Sequence, residues 1–112
     1  IDMKDYSKMS DFEINKEVAA CLGVEVQEWN GKIFGGVERS IDNVTSVVGV
    51  IDYCNNPSDA WPIINIERIG VYPSEGPDFM PWIAAKNALS VTDKNPLRAA
   101  MIVYLMMKDE EK

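Results

Sequence analysis

The amino-acid sequence predicts an α+β domain, with about three helices packed on a mainly antiparallel sheet of four to five strands. Two periodicities alternate along the chain: apolar residues recur about every 3.6 residues in some segments, as in helices, and every second residue in others, as in strands. Short loops join these segments, as in a layered α+β domain. The 112 residues suffice for one core without a metal or disulfide. We expect a single domain over residues 3–112, with Met3 as the native start.

The first helix is predicted to begin at Asp11. Ser10 can cap it, and Glu13, three residues later, completes a capping box. Apolar residues then share one face of the helix, whereas Asn15 is placed with charged residues on the opposite, polar face. Gly23 supplies a left-handed stop, so the helix is expected to end just before it.

Two further helices open with an asparagine cap followed by a proline at the first helical position. Asn56 and Pro57 predict the start of the second helix, although Pro62 removes a backbone hydrogen bond and should bend the helix or distort its first turn. Asn95 and Pro96 predict the start of the last helix, which is apolar on nearly all sides. Such a helix has to be buried on most of its circumference.

The apolar surface of this last helix is too wide for one sheet to cover. We therefore predict that apolar side chains near its end, such as Met106 and Met107, or near Trp82 form a symmetric homodimer contact. Two-fold closure is the commonest way to cover such a patch.

The strand patterns fall between the helices. Residues 24–29 alternate with period two and lead to Asn30 and Gly31, the strongest short signal for a hairpin. Residues 44–51 are largely β-branched and are predicted to form the central strand of the sheet. Other strands are predicted at residues 32–34, 69–72, 82–86 and 89–91.

Composition excludes several classes of function. Histidine is absent, which removes the commonest general base and nearly every transition-metal site, so we expect no metal and no cofactor. The net charge of −7 would repel a phosphate backbone, so direct nucleic-acid binding is not expected. No apolar run approaches the roughly 20 residues that span a bilayer, and no signal peptide is recognisable. Cys21 and Cys54 form no CxxC pair, which favours a reducing cytosol.

One stretch, D-Y-C-N-N-P-S-D-A-W-P-I-I at residues 52–64, has the composition of a site, and two interpretations stay open. In the first, its polar residues only cap a helix and its aromatic residues belong to the core or its rim. In the second, they form a polar notch at a helix N-terminus that receives an anion or a partner's carboxylate, together with the start of the last helix. Cys54 is a poor candidate nucleophile because no histidine can activate it. The candidate binding residues are Asp52, Tyr53, Asn55, Asn56, Asp59, Trp61, Asn95 and Arg98.

Three stretches carry a family resemblance: D-Y-S-K-M-S-D-F-E-I-N-K-E-V-A near the start, D-Y-C-N-N-P-S-D-A-W-P-I-I, and N-P-L-R-A-A-M-I-V-Y-L-M-M near the end. Together they closely resemble the NinX-like family of small proteins from tailed phages and enterobacterial prophages. The order of helices and strands is also similar to that of the phage α-β-α sandwich domain. The resemblance implies a small phage protein but no particular activity and no functional residues.

These observations lead to three hypotheses of function. The first is a non-enzymatic phage or prophage accessory protein that contacts a host or phage protein in the cytoplasm of the bacterial host. The alternative is a small-molecule or nucleotide-related enzyme or binder that uses a notch of Asp52, Asn56, Asp59 and Arg98. The third is acidic mimicry of a nucleic acid, which requires carboxylates lined up on one face.

Overall fold

Three α-helices form where the capping signals predict them. The computed structural model describes residues 5–35, 38–39, 45–46, 49–75 and 81–111. Helix α1 spans Asp11–Leu22, α2 spans Pro57–Glu67 and α3 spans Pro96–Glu110, and a short 3-10 turn at Tyr6–Lys8 precedes α1. Within the described ranges no helix is long and apolar enough to cross a membrane.

The helix ends are fixed by the side chains that the sequence indicates. Ser10 and Glu13 form both halves of the capping box at α1, and Gly23 ends that helix with a φ of 72°. Asn56 and Asn95 accept backbone N–H groups of the first turns of α2 and α3 through their side-chain oxygens. Each cap thereby satisfies N–H groups that the helix itself cannot pair.

The predicted single sheet of four to five strands is wrong. The described strands are Val26–Trp29 (β1), Lys32–Gly35 (β2), Glu38–Arg39 (β3), Thr45–Ser46 (β4), Val50–Ile51 (β5), Gly70–Pro73 (β6), Trp82–Lys86 (β7) and Leu89–Asp93 (β8). They form two three-stranded antiparallel sheets, in the orders β1-β2-β5 and β6-β7-β8, and a separate β3-β4 pair. Each strand is paired with near neighbours in sequence, and α2 lies between the two sets along the chain. The first sheet contacts α1 through β2, whereas α3 packs on the second sheet.

Residues 44–51 do not form a central strand. Thr45–Ser46 pairs with β3, and Val50–Ile51 pairs with β2, so β2 is the central strand of its sheet. Residues 44, 47 and 48 lie outside the described residues. A β-branched composition indicates a fit to a pleated surface and does not specify where in a sheet the strand lies. The predicted hairpin is confirmed: β1 pairs with β2, with Asn30 and Gly31 both at positive φ.

Helix α3 lies at the centre of the core. Residues 99–105 are all buried, because α1, α2 and the second sheet contact α3 from within the same chain. The apolar circumference that motivated a homodimer is therefore largely covered by this chain's own elements. Met106, Met107 and Trp82 are partly exposed, and the homodimer stays a prediction.

Candidate functional site

Four of the predicted site residues meet in one hydrogen-bonded cluster. Asp52, Asn55, Asn95 and Arg98 come together between the start of α1, the segment before α2 and the start of α3. This places the N-termini of α2 and α3 side by side, as the notch hypothesis requires. We call the cluster the polar junction, and its side chains are Asp11, Asn15, Asp52, Asn55, Asp93, Asn95 and Arg98.

Arg98 holds one side of the polar junction. Its Nη1 donates to Asp11 Oδ1 at 2.6 Å and its Nε donates to Asp93 Oδ2 at 3.2 Å. Its Nη2 donates to the carbonyl oxygens of Ser7 at 3.2 Å and Met9 at 2.7 Å. The Arg98 side chain is only 13% exposed, so its charge is directed at groups of this chain. The guanidinium fastens the segment before α1 to the start of α3.

Two asparagines join the starts of α2 and α3. The Asn95 amide nitrogen donates to the carbonyl oxygen of Cys54 at 2.7 Å and to Asn55 Oδ1 at 2.9 Å, while its oxygen caps α3. The Asn55 amide nitrogen in turn donates to Asp11 Oδ2 at 3.0 Å and Asp52 Oδ1 at 3.1 Å. Donors therefore face acceptors across the polar junction, so that its polar groups are hydrogen-bonded to one another.

Asn15 forms the third side of the polar junction, although the sequence pattern places it on the polar face of α1. Asn15 is buried, not on the polar face of α1, because the buried face of α1 also includes Ile14, Val18 and Ala19. Its amide nitrogen donates to Asp52 Oδ1 at 3.0 Å, and its oxygen accepts the Cys54 N–H at 3.1 Å. The available signal was its spacing of three and four residues from Val18 and Ala19, which puts the three side chains on one face.

The remaining predicted residues lie around the polar junction. Asn56 caps α2, and Asp59 Oδ2 accepts the Asp52 N–H at 2.9 Å. Tyr53 is buried in the core, and this burial, followed by the charge of Asp59, raises its pKa. Trp61 is 59% exposed on α2. A ligand-binding role for these residues stays a prediction.

The Cys54 thiol is placed where it stays protonated. Cys54 is fully buried, with its sulfur 3.9 Å from the carbonyl oxygen of Asp11. Burial, followed by the negative charge of Asp11, raises the pKa of Cys54 to about 12, and the opposing charge of Arg98 is a smaller effect. Because the thiolate is the reactive form, this thiol is inert at neutral pH. In the described part of the chain, no cluster of three or more acidic or cysteine side chains could hold a metal.

Helix α2 presents a second feature, of which the sequence analysis names only Trp61. A depression of about 700 Å³ lies beside Trp61 and is lined also by Ile64, Asn65, Arg68, Ile69 and Val71. We call it the Trp61 depression. On the neighbouring face of α2, Ile66 is 76% exposed. Which apolar residues of a helix stay exposed depends on the packing around it, so the sequence alone cannot indicate this surface.

These features define a small α+β fold whose helix starts are joined by a partly buried polar junction and whose second helix exposes apolar side chains. The family model described as "Bacteriophage P22, NinX" matches residues 5–108, so the chain belongs to this phage protein family. The resemblance seen in the sequence is thereby confirmed. Comparison with the curated proteins and with the solved structures gave no match.

Proposed function

We propose that this protein is a non-enzymatic phage accessory protein that acts in the cytoplasm of the bacterial host by binding another protein through the Trp61 depression. The observation that carries the proposal is Trp61 itself, which leaves 59% of its surface in water next to a concave surface. Exposed tryptophan is unfavourable for a free protein because its large apolar area is not removed from water. Burial against a partner would recover that area.

The residues around Trp61 have the composition of a binding hot spot. Ile64 and Ile69 are buried and line the depression with apolar surface. Arg68 and Asn65 are exposed at its edge. Tryptophan and arginine are enriched where binding energy concentrates, and a polar rim around an apolar centre is typical of protein interfaces.

The backbone at Arg68 also supports the proposal. Arg68 ends α2 in the left-handed conformation, with φ 55°, and its N–H donates to the carbonyl oxygen of Ile64. Glycine is the usual residue at this position because other side chains are strained there. An arginine at a strained position beside a depression is expected when its side chain serves a function.

The polar junction gives less support to the alternative, an enzyme or small-molecule binder at the notch of Asp52, Asn56, Asp59 and Arg98. All three Arg98 guanidinium nitrogens donate to groups of this chain, and Asn56 is used as a helix cap. An incoming anion would have to displace these contacts. The buried, protonated Cys54 thiol also lacks the reactivity that a nucleophile needs.

The proposal is tested by affinity capture from lysate of infected bacteria, followed by titration with each captured protein after purification. Trp61→Ala should weaken binding of a true partner by about tenfold or more, the loss typical of a hot-spot residue. Trp29→Ala is the matched control, because Trp29 is 70% exposed but lies on β1. If no purified protein distinguishes Trp61→Ala from Trp29→Ala, and the wild type turns over a metabolite, the proposal is wrong.

A further inference from the structure

A second concave surface lies on the other side of α2, and it differs in character from the Trp61 depression. It has a volume of about 330 Å³ and lies between the end of α1, α2 and α3. We call it the acidic groove. Its apolar wall includes Ile51, Pro62 and Ile63, and the exposed Leu22 and Ile66 form its edges. The volume is within the range of small-molecule sites, about 300–1,000 Å³.

The polar groups of the acidic groove are two carboxylates, two phenols and the hydroxyl of Ser58. Asp59 and Glu67 lie one on each side of the apolar wall along α2, and Tyr53 and Tyr104 add aromatic rings. Asp59 is held in place because its Oδ2 accepts the Asp52 N–H at 2.9 Å. The residues that line the groove include no lysine or arginine.

Lys108 indicates which kind of chemical group binds at the rim of the acidic groove. The Lys108 ammonium lies 3.5 Å from Glu67 Oε1 and 5.4 Å from the centre of the Tyr104 ring. An ammonium is therefore already bound by a carboxylate and an aromatic face at the rim of the acidic groove. Lys108 also pairs with Glu111 at 3.3 Å, and Asp59 on the other side of the groove stays available to a second cation.

We infer that the acidic groove binds a small organic cation, a primary ammonium carried on a short alkyl or arylalkyl body. The apolar body would cover Ile63 and Pro62, and the ammonium would face Asp59. Glu67 lies eight residues further along α2, about 12 Å away along the helix axis, and is already paired with Lys108. A neutral apolar ligand would take water from the Asp59 carboxylate without pairing it. An anion would be repelled by both carboxylates, and the net charge of −7 attracts cations over the whole surface.

The test is a titration of the full chain with phenethylammonium chloride, followed by ¹H–¹⁵N NMR. Shifts should concentrate at Ile63, Ile66 and Tyr104, and binding should weaken about threefold or more in Asp59→Asn, the size expected for loss of one partly exposed ion pair. Ile66→Ala, at the exposed edge of the groove, should also weaken binding, because it removes apolar contact area. The uncharged isostere 2-phenylethanol should bind more weakly than the ammonium. Thermal unfolding of each variant checks that it is folded, and Ile66→Ala suffices if Asp59→Asn is not.

Glu25→Gln is the matched control, since it removes one exposed carboxylate outside the acidic groove. Equal weakening in Glu25→Gln, equal affinity for 2-phenylethanol, or shifts spread over the surface would overturn the inference. Trp61→Ala should bind phenethylammonium like the wild type. The inference and the proposed protein contact can therefore fail independently.

Discussion

Arg98 joins separate segments because its planar guanidinium can donate in several directions at once. It reaches Asp11, Asp93 and the carbonyl oxygen of Met9 together, whereas a single lysine ammonium cannot span these acceptors. We expect Arg98→Lys to lower the free energy of unfolding by about 1–3 kcal/mol, the cost of leaving such groups incompletely paired. Urea unfolding measures the change. Arg68→Lys, at an exposed guanidinium, should change it by less than about 0.5 kcal/mol, and equal losses in the two variants would contradict this role.

We expect Arg68 to lower the free energy of unfolding, while its side chain contributes to binding of a partner. Its φ of 55° disfavours a residue with a Cβ, so Arg68→Gly should raise the free energy of unfolding by about 0.5–1 kcal/mol. The same variant should weaken binding of a partner at the Trp61 depression, as in other exchanges of stability for function. Thermal unfolding compared with Arg68→Lys, which keeps the strain, isolates the backbone effect. If Arg68→Gly is less stable than Arg68→Lys, backbone strain does not control stability at this position.

At the scale of elements, the sequence predicts the helices better than the sheets. The cap residues Ser10, Asn56 and Asn95 accept N–H groups two or three residues away. A short stretch of sequence is therefore enough to predict where each helix starts. Strand pairing is not local in this way. The β-branched composition of residues 44–51 indicates an extended chain. It does not indicate that Val50–Ile51 pairs at the edge of a three-stranded sheet and Thr45–Ser46 elsewhere.

The polar junction is predictable only in part, for the same reason. Asn95 and Arg98 are recognisable because Asn95 is itself the helix-start signal and Arg98 lies in the first turn after it. Their proximity to Asp52 and Asn55 follows once two helix starts share an edge. Asn15 is not recognisable, because a polar residue in an amphipathic helix is ordinarily assigned to the exposed face. Its burial depends on a buried Cys54 N–H 39 positions away in the chain that needs an acceptor.

Asn95 is expected to matter more than an ordinary cap, because its two side-chain groups serve two helices. Its oxygen caps α3, and its nitrogen holds the carbonyl oxygen of Cys54 and the side chain of Asn55. We expect Asn95→Ala to cost about 2–3 kcal/mol of unfolding free energy, against about 1 kcal/mol for Asn56→Ala, where only a cap is lost. Asn95→Asp keeps the capping oxygen but places a carboxylate oxygen against the carbonyl oxygen of Cys54 and Asn55 Oδ1, so it should cost at least as much as Asn95→Ala. Equal losses for Asn95→Ala and Asn56→Ala in urea unfolding would mean that the link between α2 and α3 contributes nothing.

At the scale of the whole molecule, the core around α3 contains ionisable groups that are neutral at pH 7. Tyr6, Tyr53, Cys54 and Tyr104 are all buried. Burial is the main cause that raises the pKa of each. Deprotonation of any of them would place a negative charge in an apolar interior, next to further carboxylates in a chain that already carries a net charge of −7. The fold is therefore expected to be sensitive to alkali.

The contribution of Cys54 to this sensitivity can be isolated. Its pKa rises from an ordinary value near 9 to about 12 on folding, so between these values the folded chain retains a proton that the unfolded chain releases. The stability due to this proton is fully present below pH 9 and is lost as the pH rises toward 12, with a slope of at most about 1.4 kcal/mol per pH unit. Cys54→Ala should be less stable than the wild type at pH 7, because it leaves a small cavity, but its unfolding free energy should fall less steeply above pH 9. Urea unfolding at intervals from pH 7 to pH 11 gives both slopes, with Cys21→Ala, at an exposed cysteine, expected to keep the wild-type slope. Parallel curves for the wild type and Cys54→Ala would mean that the buried thiol does not contribute to alkaline unfolding and that the buried tyrosines account for it.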